Sequence, residues 1–116
     1  MGCVKYLLMI YTNPAARAAI EADSDQVMAE VDGLLKEMQE TGEWVSGMAL
    51  ADTFRTVKVR DGVPAVTDGP FMEAKEVLAG VCLLECDSIE RATELAARWP
   101  DARYCAMEVR PLLDEA

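Results

Sequence analysis

Thr67-Asp68-Gly69-Pro70-Phe71 spells a tight, rigid turn, and the elements on either side of it set the fold. Asp68 can accept backbone N–H groups ahead of it. Gly69 can take backbone angles closed to other residues, and Pro70 fixes its own φ while restricting Gly69. Phe71 supplies an apolar anchor for the turn. Upstream, Val63 to Thr67 reads as a strand, preceded by Asp61-Gly62, a two-residue hairpin signal because a type I′ turn needs positive φ at both central positions. Phe54 to Arg60 alternates as the other arm of that hairpin. Pro64 lacks an N–H, so its strand belongs at an edge. Downstream, Met72-Glu73-Ala74-Lys75-Glu76 sets two carboxylates and an ammonium beside the turn, either as the rim of a polar pocket or as a surface ion pair. Val77 to Cys86 then reads as a strand with two largely apolar faces.

Further out, Lys5 to Tyr11 is a first strand, apolar on both faces. Residues 12–23, with Asn13-Pro14 and many alanines, read as a loop with a short helical turn. Ser24 or Asp25 caps a helix to about Thr41, with Val27, Met28, Val31, Leu34, Leu35 and Met38 as its apolar stripe. Gly42 sits where a left-handed residue would end it. Glu43 to Ala51 is a second strand. Asp87 and Glu90 have the spacing of a capping box before a helix that buries Ile89, Ala92, Leu95, Ala96 and Trp99 and stops at Pro100. Tyr104 to Arg110 is the last strand, ended by Pro111, and the tail Asp114-Glu115-Ala116 is expected to fray. The order βαβ–hairpin–βαβ predicts one ferredoxin-like α+β sandwich over residues 1–116. Both helices should cover one sheet face. The other face is also apolar, and a second copy related by a two-fold axis is the simplest cover for it.

Composition narrows the function. The net charge is −10, from 21 acidic and 11 basic residues. That balance repels a phosphate backbone and an anionic bilayer, so nucleic-acid and membrane binding are not expected. No apolar run approaches the roughly 20 residues of a membrane span. The start lacks the pattern of a signal peptide, and Tyr6 stands where a myristoylation signal wants Ser or Thr. Cys3, Cys82, Cys86 and Cys105 form no CxxC, and the chain has no histidine, so neither a metal centre nor a cofactor is expected. The thiols suit a reducing cytoplasm. Cys82 and Cys86 share a strand face with Leu84 and lie too far apart to bridge.

Thr67 to Phe71, followed by Glu73, Lys75-Glu76 and Gly80, resembles the signature of the YCII-related family, the DGPF-domain proteins. The resemblance extends to Lys5 through Tyr11, to Gly42-Glu43 with Gly47 and Leu50, and to Glu108-Val109-Arg110-Pro111, and so spans nearly the whole chain. It implies a dimeric α+β barrel, a bacterial cytoplasmic protein and no settled activity. Some relatives are encoded beside extracytoplasmic-function sigma factors. Some are proposed to be enzymes using a His–Asp pair, and this chain, without histidine, cannot supply that pair. Acid–base work near neutral pH would fall to a shifted carboxylate, lysine, tyrosine or cysteine. Asp68 matches the family motif. It is a turn-former first, a ligand-binding group second, and the best candidate for a catalytic residue should there be one. Two functions follow. One is a small-molecule pocket lined by Tyr11, Trp44, Asp68, Phe71 and Arg110, with Glu73 and Lys75 beside it. The alternative is a regulatory or interaction module whose partner is a sigma factor. Whether the chain is an enzyme stays open.

Overall fold

The structure, a computed structural model, describes residues 4–69 and 76–113. In chain order the elements are β1 (Val4–Thr12), α1 (Pro14–Ala22), α2 (Ser24–Thr41), β2 (Trp44–Ala49), β3 (Phe54–Arg60), β4 (Val63–Gly69), β5 (Val77–Cys86), α3 (Ile89–Ala97), α4 (Asp101–Tyr104) and β6 (Ala106–Pro111). Four strands form one antiparallel sheet in the order β2-β5-β1-β6. Strands β1 and β5 pair along their whole length, from Val4 opposite Cys86 to Thr12 opposite Val77. Each helical crossover, β1 to β2 and β5 to β6, skips one strand. Two interleaved βαβ units of this kind make a ferredoxin-like α+β fold, as the element order predicts.

Period-two alternation decides which face is covered. Tyr6 and Leu8 on β1, and Cys82, Leu84 and Cys86 on β5, point to the helices and are buried. They pack with Leu34 and Met38 of α2, with Ala92, Leu95 and Ala96 of α3, and with Trp99 in one core. Each such large apolar side chain contributes about 1.5–3 kcal/mol when fully buried. The opposite face carries Leu7, Met9, Val81 and Leu83, all only half-buried, and Met48 at its margin is 64% exposed.

Local signals act as their chemistry requires. Gly42 closes α2 at φ 82°, and Asp61 and Gly62 turn the hairpin at φ 51° and 78°. Elsewhere the structure differs from the sequence expectation. Residues 12–23 hold a nine-residue helix, α1, because Asn13 Oδ1 accepts the Ala16 N–H at 2.7 Å and Pro14 occupies the first turn. Helix α2 begins at Ser24 behind Asp23, with no side-chain cap. The cap of α3 is Ser88, not Asp87, since Ser88 Oγ accepts the Arg91 N–H at 3.1 Å. The chain turns at Pro100 into the short helix α4, which takes up Tyr104, so β6 starts only at Ala106.

The hairpin β3–β4 forms its own two-stranded sheet instead of extending the main one. Strand β4 runs on to Gly69, which places Asp68 opposite Arg55 and Gly69 opposite Phe54 in the ladder. Gly69 does not take a positive φ. A Cβ there would collide with the Phe54 ring, so the glycine serves close approach and not backbone freedom. The expected anchoring by Pro70 and Phe71 lies outside the described residues. Among the described residues, no helix is long and apolar enough to cross a membrane.

Candidate functional site

The link from β2 to β3 is the common wall of three clefts. It is fixed at one end by the Leu50 N–H, which donates to the Ala79 carbonyl at 2.8 Å. Asp52 pins its middle to α1 through Arg17, with Nη1 to Oδ2 at 2.9 Å. On one side of Phe54 lies a cleft of about 520 Å³ lined by Leu50, Ala51, Thr53, Phe54, Glu76, Val77 and Leu78. Thr53 and Phe54 also line a second cleft, of about 460 Å³, together with Arg55, Asp68 and Gly69. A third, of about 320 Å³, shares Leu50 and is bounded by Thr12, Arg17, Asp52 and Asp101 among others.

The first cleft has the most distinct chemistry. Its wall is apolar except for Thr53 and one carboxylate, Glu76. The Cys105 thiol donates to Glu76 Oε2 at 3.5 Å, and Asn13 Nδ2 donates to Cys105 Sγ at 3.6 Å. Burial first, then the bond to Glu76, pushes the Cys105 thiol above its usual range, so it stays protonated at neutral pH and acts as a donor. Nearby, the Tyr11 hydroxyl donates to Glu108 Oε1 at 2.9 Å. That bond, more than desolvation, raises the tyrosine pKa, with Glu76 a smaller contributor. Glu76 is therefore the acceptor of the group, with a neutral thiol behind it and a neutral phenol nearby. Cys82 is pushed up to about 11, chiefly by burial, which keeps it an inert core thiol.

The side chains singled out in the sequence divide into separate places. Asp68 lines the second cleft and pairs with Arg55, Nε to Oδ1 at 3.3 Å, with both side chains open to water at 84% and 77% exposure. Tyr11 and Arg110 lie on the uncovered side of the main sheet, where Arg110 stands opposite Leu7 and Glu108 opposite Met9. Trp44 stands opposite Leu84, whereas Tyr11 stands opposite Leu78. Those positions are about 20 Å apart along β5 at the usual rise per residue, so Trp44 and Tyr11 do not share a pocket. The Trp44 indole instead covers Gly47, where no Cβ would fit. Phe71, Glu73 and Lys75 lie outside the described residues. No group of three or more Cys, Asp or Glu side chains converges as a metal site among the described residues.

Glu76, Cys105 and Asn13 meet because three chain segments end together. Thr12 is opposite Val77 and Tyr11 is opposite Ala106, so the residues just beyond those pairs share one end of the sheet. That register was the one available signal for the group, and it requires knowing which strands are neighbours. Phe54 is the shared wall of two clefts, which gives a direct prediction. Gly69→Ala should push the ring off its cross-strand seat into solvent. Overall stability should change by less than about 1 kcal/mol, because the hairpin is exposed. The Phe54 ring resonances should move, and an unchanged ring environment in the NMR spectrum would refute the contact.

The YCII-related domain family matches residues 4–116 of this chain. A protein of Rhizobium meliloti (strain 1021) described as uncharacterized is 30% identical over 112 residues, covering 92% of this chain and 90% of that protein.

Proposed function

The chain belongs to the YCII-related family, and from that premise we propose that it binds a small, mainly apolar molecule carrying a hydrogen-bond donor, close to the Asp-Gly-Pro-Phe segment. The observation that carries the proposal is the cleft beside Phe54, where Leu50, Ala51, Phe54, Val77 and Leu78 surround one carboxylate, Glu76. A volume near 520 Å³ suits a small ligand, and a mainly apolar wall with few polar groups is the usual composition of such sites. Glu76 takes the ligand's O–H or N–H, and the Cys105 and Asn13 contacts behind it hold its orientation. Asp68, in the second cleft that Phe54 lines, receives the polar end of a longer ligand. The proposal is one of binding; it assigns no catalytic step.

A thermal-shift screen of small phenols, alcohols and amines tests it. A ligand present at a hundred times its Kd stabilises the protein by about 2.7 kcal/mol. The shift should be largely lost in Glu76→Gln and mostly kept in Asp68→Asn. Compounds that stabilise the wild type and Glu76→Gln equally would remove Glu76 from the site. A flat response across the whole screen would favour the interaction-module function instead.

The same reading includes a two-fold homodimer formed through the uncovered sheet face. Leu7, Met9, Val81 and Leu83 lie side by side there as neighbours in the β1–β5 ladder, a contiguous apolar surface of the kind that partners cover. Light scattering should give twice the protomer mass of 12.7 kDa for the wild type, and the protomer mass for a still-folded Leu83→Asp. The cytoplasm is the compartment proposed for it, in keeping with the free thiols of Cys82, Cys86 and Cys105.

A further inference from the structure

The third cleft, of about 320 Å³, gathers polar groups from distant parts of the chain. Thr12 ends β1, Arg17 and Glu21 stand on one face of α1, Asp52 lies in the β2–β3 link, and Asp101 opens α4. Helix α4 packs on both β1 and α1, which brings Asp101 to the same end of the sheet as Thr12.

Two of these groups lack the partners their chemistry demands. Thr12 is a polar residue only 5% exposed. Its hydroxyl makes no hydrogen bond among the described residues, and no side-chain oxygen there is sealed from solvent without a partner. The hydroxyl therefore opens on the space beside it, which is this cleft. The Asp101 carboxylate is half-buried, takes its own backbone N–H, and pairs with no arginine or lysine among the described residues. Burial holds its carboxyl above the ordinary carboxylate range. The groups that feel its charge are the Cys82 and Cys105 thiols, which bring no countercharge. A carboxylate drawn out of water without a cation is costly to the fold.

Charge and donor count select the ligand. The wall sets three carboxylates against one guanidinium, and Asp52 already holds that guanidinium at 2.9 Å. An anion would meet Glu21 and Asp101 with no unpaired cation to receive it. Among the described residues the carboxylates do not converge as a metal site. An ammonium group has three N–H donors and no acceptor, and so matches a carboxylate and a hydroxyl that both can accept. Ile20, Leu50 and Ala79 give the same cleft apolar surface for a short hydrocarbon tail.

We propose that this cleft is a site for a small primary alkylammonium ion, with the Asp101 carboxylate as its counter-ion, the Thr12 hydroxyl as a second acceptor, and Arg17 held aside by Asp52. The site is distinct from the Glu76 cleft and does not rest on ligand binding there.

Titration of the wild-type chain with butylammonium, followed through backbone amide chemical shifts, tests it. The amides of Thr12, Arg17, Ile20 and Ala79 should move and saturate. Thr12→Val keeps the shape of the side chain and removes a hydroxyl that has no protein partner, so the chain should fold as before. Binding should be at least about 10-fold weaker in Thr12→Val and in Asp101→Asn, and unchanged in Glu76→Gln. Tetramethylammonium, which has the charge without the N–H donors, and butanol, which lacks the charge, should leave these amides in place. An equal response to tetramethylammonium overturns the site in favour of general screening of an acidic surface. Unchanged affinity in either Thr12→Val or Asp101→Asn overturns it, as does the absence of any saturable shift. A response lost in Glu76→Gln and kept in Asp101→Asn places the amine in the Glu76 cleft and overturns this site alone.

Discussion

Leu84→Ala is expected to destabilise the protein by about 3–5 kcal/mol, the upper part of the range for a leucine removed from a packed core. Leu84 is fully buried on β5, a central strand of the sheet, between Tyr6 on β1 and Trp44 on β2. It shares the core with Met38 of α2 and Leu95 of α3. Sheet neighbours on both sides restrict how far the site can collapse, which keeps the cavity open and the cost high. A domain of this size has about 5–15 kcal/mol to lose, so the variant should melt roughly 10–25 °C lower in a calorimetric scan. Leu83→Ala is the matched control. Its side chain lies on the other face of the same strand and is only half-buried, so the protomer should lose distinctly less. Equal losses at the two positions, compared on the dissociated protomer, would mean that the helix-covered face is not where the stability resides.

The pair also shows why part of this fold is legible in the chain and part is not. Leu83 and Leu84 look alike in sequence, and alternation says only that they point to opposite faces. The apolar stripes of α2 and α3, at Leu34, Met38, Ala92 and Leu95, can be read directly and show that both helices cover a sheet face, but not which of the two leucines lies beneath them. Turn chemistry was equally plain at Gly42 and at Asp61-Gly62, because positive φ demands those residue types. Helix α1 was hidden because its signal is short. One asparagine cap and a proline start an alanine-rich run of only nine residues, too short for its apolar period to repeat more than twice, although alanine is the best helix former. The hairpin strands were readable and their placement was not, since β3 and β4 carry the same local alternation whether they join a sheet or leave it. Gly69 shows the same limit at one residue. Its neighbour Pro70 points to a turn glycine, while the Phe54 ring that requires it lies 15 positions earlier in the chain. For the candidate site, Glu76 stands out in sequence only as one charge in a cluster. Its link to Cys105 and Asn13 depends on the β1–β5 and β1–β6 registers, which are non-local.

Arg91→Ala should cost about 2 kcal/mol at neutral pH, and that cost should fade on acidification. Arg91 grips Glu43 with Nε to Oε2 at 2.8 Å and Nη2 to Oε1 at 3.0 Å, and Nη1 reaches Glu94 at 2.5 Å. The pair ties α3 to the residue that joins α2 to β2. The Glu43 backbone donates to Met38 of α2 and accepts from Glu85 of β5, so its position is fixed even without its partner. Its side chain is only 13% exposed, and in the variant the Thr41 hydroxyl, 2.7 Å away, would be its remaining side-chain donor. Helix propensity cannot account for the loss, because alanine favours a helix interior more than arginine does. The hydrogen bonds from Arg91, outweighing desolvation, hold the Glu43 carboxyl below its usual range. A carboxylate with a depressed folded-state pKa contributes its full stability above the unfolded value, near pH 4.3, and loses it as pH falls through the folded value. Wild type should therefore lose stability more steeply than Arg91→Ala below about pH 4, and the two denaturation curves should converge there. The exposed pairs Arg98–Glu37 and Arg103–Glu30 have similar geometry but are open to water, so removing either arginine should matter much less. If the gap between wild type and Arg91→Ala stays constant from pH 7 to pH 3, the arginine acts through packing of its stem and not through its charge on Glu43.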